Sequence, residues 1–298
     1  MTNLLSVSRA RAPLIAVLDS NVYVELMEGT PLQGEPSIQF IVQEAKHREV
    51  YLHWETAHLE LTLDGPKANL CPHRLHHCLG LPGPRISPEK ALAACQVQFD
   101  SHVVNAAILC KVYSLFDQQG RRPAQAPHYI EELIRWASLE LGASVGCLFP
   151  LLASWATGAG WYDGLFKYTK SLNHRRFPDR TRCAVNGAMD LHFLTTWHSL
   201  AHTYSTADVF LLTGDRGLKA LVPKFNNVII HNAANENLID FSLELENDKF
   251  RSYIGHLRDL DYQVLRDTAL PSFERIRKAR IALAKFRDSE HFRRPGQL

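Results

Sequence analysis

The five residues Leu14–Leu18 (LIAVL) constrain this chain more than any other stretch: they form an uninterrupted apolar run that stops at a charge, Asp19. As a strand, such a run has no polar face to offer water, so it fits a sheet covered on both sides, and sheets of that kind are parallel. Parallel strands need long crossovers, usually helices, to connect them. The following residues supply these. Ile38, Ile41, Val42 and Ala45 recur at helical spacing over 38–46, residues 50–52 read as a second short strand, and 54–63 as another helix. The order β-α-β-α predicts an α/β fold.

Residues 64–88 interrupt this pattern with Pro, Gly and a Cys/His cluster, and read as a loop or inserted element. Helical periodicity then dominates 91–113, 129–141 and 145–156, whereas 161–187 reads as irregular and basic. A helix over 188–204 carries Leu191, Leu194, Trp197 and Ala201 as a core-facing stripe. Residues 209–212 read as a third buried strand, the turn Thr213-Gly214-Asp215 and a short helix follow, and 228–230 read as a fourth strand. Helices over 244–257 and 273–286 complete the chain. The expected fold is thus a parallel sheet of four to five strands flanked by helices. Its core comprises 14–63 and 187–231, with a mostly helical insertion at 64–186 and a helical, basic C-terminal extension at 232–298.

Composition excludes several classes. With 298 residues, 46% hydrophobic and 21% charged, the chain reads as globular and not as a disordered, collagen-like or coiled-coil protein. No run approaches ~18 apolar residues, which argues against a membrane-spanning helix. The N-terminal residues lack a small-residue cleavage site after an apolar run, so no secretion signal is expected and a cytoplasmic location is. Six cysteines dispersed through a chain of this length are expected to be reduced thiols.

In an open parallel sheet, ligands bind beyond the carboxyl ends of the strands. Asp19 ends the first strand, Asp215 follows the third, Glu55 and Glu60 lie on the helix after the second, and Asp190 opens the helix feeding the third. Carboxylates gathered at one rim cannot all stay ionised without cations. Ligands that are oxygen only favour Mg²⁺ or Mn²⁺ over zinc. Each acid also has a plain structural role open to it. Asp190 and Asp215 precede helices that an Asp would cap, Asp19 could serve as a turn or cap residue in Asp-Ser-Asn, and Glu60 could face solvent.

The runs AVLDSNVYVEL, HLEL and ADVFLLTGDRGLKAL, with Asp190 between the last two, resemble the PIN-domain nucleases. The resemblance covers 14–63 and 187–231. It implies a PIN-like fold and metal-dependent ribonuclease activity leaving 5′-phosphate and 3′-hydroxyl ends. It further implies that Asp19, Glu60, Asp190 and Asp215 bind Mg²⁺ or Mn²⁺, with Asn21 and Thr213 orienting the acids or a metal-bound water. The stretch between Glu60 and Asp190 is far longer than such a domain usually carries, and Glu55 competes with Glu60 as the second acid.

Two basic clusters stand out: Lys167, Lys170, Arg175, Arg176, Arg180 and Arg182, and the eight Lys and Arg residues from Arg275 onward. Such runs serve either as solvated surfaces or as phosphate contacts. For a ribonuclease, Lys170, Arg175, Arg176, Arg180 and Arg182 form the expected RNA track. Cys71 and Cys78 flank three histidines, but their spacing departs from the usual structural zinc pattern, so a polar loop is expected and structural Zn²⁺ is the lesser reading. A non-catalytic PIN-like module binding RNA or protein is the alternative of another class. A haloacid-dehalogenase-like phosphatase fits less well, because Asn21 stands where that family needs a second Asp. The helical insertion and basic extension would suit a toxin or defence effector held by an antitoxin, another regulatory partner or self-assembly into a homo-oligomer.

Overall fold

The computed structural model describes residues 12–28, 36–63, 77, 79, 102–116, 126–157, 180–214, 227–233, 236–242 and 248–291. The chain divides into two compact units, one within Met1–Leu92 plus Thr196–Gly214, the other within Ala93–Thr195 plus Asp215–Leu298.

The first unit is built on a three-stranded parallel sheet in the order β2-β1-β3, with β1 at Leu14–Leu18, β2 at Val50–His53 and β3 at Asp208–Leu212. The central strand is buried along its whole length, as its unbroken apolar sequence requires. The expectation that β3 is buried on both faces is not met: among the described residues it is an edge strand, and Phe210 is 43% exposed. Helices α1 (Ser20–Glu28), α2 (Pro36–Glu44) and α3 (Glu55–Leu63) belong to the same unit, and α1 packs against α3. Tyr23, Ile41, Trp54 and Ala57 fill the interior, and truncating one of the larger side chains would cost about 2–5 kcal/mol.

Register and backbone bonds fix the two ends of this sheet. At the amino end, Arg48 donates to the Ala12 carbonyl at 2.9 Å and pairs with Glu44 and Asp208. Asp208 therefore lies at the rim opposite the carboxyl ends. At the carboxyl end, the Asp19 N–H donates to the Leu212 carbonyl at 2.9 Å, extending the β1–β3 ladder one residue beyond β1.

The second unit is mostly helical. It contains α4 (102–116), α5 (Ala126–Trp136), a π-helical turn at Ala137–Leu141, a 3₁₀ turn at Gly146–Leu148 and α6 (Phe149–Thr157). Helix α7 (Arg180–Thr203) begins there, and α8 (Asp248–Leu265) and α9 (Ser272–His291) complete it; α8 packs on α5 and α6. Strands β4 (Asn227–Ala233) and β5 (Glu236–Ser242) pair antiparallel as a separate sheet. The fourth strand expected in the parallel sheet is thus half of a hairpin. Only two residues connect β4 to β5, far too few for the crossover that parallel pairing demands. The parallel sheet accordingly holds three strands among the described residues, not four or five.

Helix α7 corrects a second expectation. It starts at Arg180, inside a stretch expected to be irregular, so Asp190 lies in mid-helix instead of opening it. Among the described residues, no helix is long and apolar enough to cross a membrane. Cys110, Cys147 and Cys183, the cysteines among the described residues, form no disulfide with one another.

Candidate functional site

The parallel alignment gathers the carboxyl ends of β1, β2 and β3 at one rim. Continuing the register one step past Leu18↔Leu212 sets Thr213 opposite Asp19, while β2 ends at His53 and Glu55 opens α3 two residues later. The side chains follow this geometry. Thr213 Oγ1 donates to Asp19 Oδ2 at 2.6 Å, and Ser20 Oγ donates to Asp19 Oδ1 at 3.4 Å. Asp19 is only 4% exposed and Thr213 is buried beside it.

This arrangement disposes of the capping role for Asp19. Its carbonyl accepts the Tyr23 N–H at 2.9 Å, so the residue occupies the N-cap position of α1. A capping side chain would turn onto the first free helix amides. Here both carboxylate oxygens accept side-chain hydroxyls. The buried carboxylate is thus satisfied across the strand ends by hydroxyls and not by its own helix. Asn21 is exposed at the same rim, and a Cβ placed on Gly214 would lie 3.9 Å from the Asn21 Cβ.

The two glutamates on α3 differ in surroundings. Glu55 Oε2 lies 3.2 Å from His53 Nδ1, and His53 Nε2 is 3.1 Å from Thr56 Oγ1. Burial lowers the His53 pKa while the Glu55 charge opposes this. The imidazole and the carboxylate therefore form a local unit, a constraint that no spacing rule singled out beforehand. Glu60 is half-buried one and a half turns further along α3. His58, between them, packs edge-on against Trp54 at 5.6 Å and Tyr23 at 6.3 Å, and burial lowers its pKa. It thus serves as a neutral aromatic plug.

Asp190 is 6% exposed within α7 and belongs to the second unit. In mid-helix the neighbouring amides are spent on i−4 carbonyls, so the cap open to Asp190 in the sequence is ruled out. Arg180, expected on the RNA track, is buried, whereas Arg182 is exposed. Asp215, Lys170, Arg175, Arg176, Cys71 and Cys78 lie outside the described residues. Among the described residues no three or more His, Cys, Asp and Glu side chains cluster closely enough to hold a metal ion.

No family model matches the chain, and neither curated proteins nor solved structures show significant similarity to it.

Proposed function

We propose that this chain is a Mg²⁺- or Mn²⁺-dependent endoribonuclease with a PIN-like core, centred on Asp19. The observation that carries this reading is the Asp19 carboxylate itself. It is buried at the carboxyl rim of a parallel sheet, held by the Thr213 hydroxyl and not engaged in capping. The donors suit a hard cation, since Asp19, Glu60, Asp190 and Asp215 offer oxygen alone. Asp190 and Asp215 enter this reading from the sequence pattern. A bound divalent ion would lower the pKa of a coordinated water and offset charge on the scissile phosphate. Thr213 holds one Asp19 oxygen in place, and Asn21 offers an exposed amide to a water or phosphate oxygen at the rim. Regulation by an antitoxin or by self-association, as in a toxin or defence effector, belongs to the same proposal.

The alternative is a non-catalytic PIN-like module that binds RNA or protein. The deciding experiment incubates the full chain with RNA and single-stranded DNA panels in Mn²⁺, with and without EDTA, and with a phosphatase substrate as control. EDTA-sensitive RNA cleavage supports the nuclease. RNA binding without cleavage supports the module, and turnover of the phosphatase substrate alone would replace both with a phosphomonoesterase.

A further inference from the structure

Helix α9 presents an unusual outer face. Its sequence, SFERIRKARIALAKFRDSEH, carries six Lys and Arg residues against three acids. Four of its apolar residues turn inward: Ala279 is fully buried, Ile276 and Leu283 are partly so, and Phe286 lies 6.1 Å from Trp136. The outward face is left with Arg277, Arg280, Lys285 and Arg287, all exposed, together with Phe273 at 70% and Ile281 at 45% exposure. Arg277 pairs with Glu274 at 3.1 Å and Arg287 with Asp288 at 3.9 Å, both at the surface, where such pairs contribute little and exchange readily. Arg280 and Lys285 face solvent without an acidic partner among the described residues.

From this face we infer that α9 is a docking surface for single-stranded nucleic acid. Arg277, Arg280, Lys285 and Arg287 would meet backbone phosphates, and Phe273 would stack on an unpaired base. The charge sign fits a polyanion. From Arg277 to Lys285 the cations span roughly 12 Å along the helix axis, enough for several successive phosphates. Phe273 protrudes one turn before Arg277, the pairing of aromatic platform and cation by which single strands are bound without sequence preference. An anionic membrane suits the face less. A helix lying in lipid needs a continuous bulky apolar face turned outward, and on α9 that face is turned in. The inference takes from the nuclease reading only the expectation that the polyanion is RNA; it requires no cleavage.

The test is fluorescence anisotropy of a labelled single-stranded oligoribonucleotide with the full chain, in EDTA, between about 50 and 200 mM salt. The triple variant Arg277→Gln/Arg280→Gln/Lys285→Gln should bind more weakly, with the slope of log affinity against log salt shallower by about 2. Phe273→Ala should weaken binding roughly 5- to 150-fold with the slope unchanged. Asp288→Asn, which removes an acid from the same face, should bind more tightly; it decides the matter if circular dichroism shows the triple variant misfolded. Unchanged affinity and slope in the triple variant would overturn the inference. So would a wild-type chain that binds phosphatidylserine vesicles and not RNA. Cleavage in Mn²⁺, measured separately, keeps the two readings apart. Its absence, with the slope shallower in the triple variant, removes the nuclease and leaves the docking surface, whereas cleavage with a slope unchanged in that variant does the reverse.

Discussion

Thr213 Oγ1 donates a 2.6 Å hydrogen bond to Asp19 Oδ2 across 194 residues of sequence, joining the ends of the central and edge strands of the parallel sheet. Removing that donor strands a buried carboxylate oxygen. Thr213→Val should therefore destabilise the fold by about 1–3 kcal/mol, read from urea unfolding, and should lower RNA cleavage as well. Thr213→Ser, which keeps the hydroxyl, should recover much of both.

The two glutamates of α3 can be separated by substitution. Glu55 is tied to His53, so Glu55→Gln should alter stability while leaving most of the cleavage. Glu60→Gln should remove cleavage with little change in unfolding midpoint. The reverse pattern would transfer the second-acid role to Glu55, which opens α3 two residues past the end of β2.

Asp261 gives the second unit a pH dependence. Burial pushes its pKa from 3.8 up to about 6, against the opposing hydrogen bonds from Ser144 Oγ at 2.5 Å and the Val145 N–H at 3.3 Å. A folded-state pKa raised above the unfolded one means that the protonated form is favoured by folding. This contribution is full below about pH 4 and is lost as pH rises through about 6. Chemical denaturation at a series of pH values should show wild type losing on the order of 2 kcal/mol across that window, relative to Asp261→Asn. Parallel curves for the two proteins would contradict this assignment.

Gly142 ends the π-helical turn at φ 63°, and a Cβ there would stand 2.5 Å from Leu270 Cγ. Gly142→Ala should lose about 1–2 kcal/mol to the left-handed backbone alone, with the clash adding to it. Pairing it with Leu270→Ala should produce a smaller total loss than the two single changes sum to, because the cavity left by Leu270 accepts the new methyl.

How far the sequence anticipated this structure depends on how local the governing interaction is. Leu14–Leu18 announced β1 because a run without polar alternation has one stable environment, and β2 and β3 were found for the same reason. The edge position of β3, and hence the exposure of Phe210, depends on which strands lie beside it, and that is written nowhere in DVFLL. Strand β5 passed unread because ENLIDFS shows no clean alternation, and without it the sequence could not disclose that β4 belongs to a hairpin. Asp190 was misplaced because α7 extends upstream through the basic residues Arg180 and Arg182, which carry helical propensity but no apolar stripe. At the site, Asp19 is legible from its place after an apolar run, whereas Thr213 stands out only through the family resemblance, and the structure joins the two by a hydrogen bond. The coupling of Glu55 to His53 was not legible, since it depends on how α3 leaves β2.

The most direct test of the account is the Mn²⁺-dependent cleavage rate of Asp19→Asn beside wild type on one RNA, with both proteins shown folded by circular dichroism. The exchange keeps the shape of the side chain and a carbonyl able to accept from Thr213, and removes the charge a metal ion requires. Wild type should show EDTA-sensitive cleavage, with 5′-phosphate and 3′-hydroxyl ends, and the variant should lose it. Cleavage by Asp19→Asn at the wild-type rate would contradict the role proposed for Asp19.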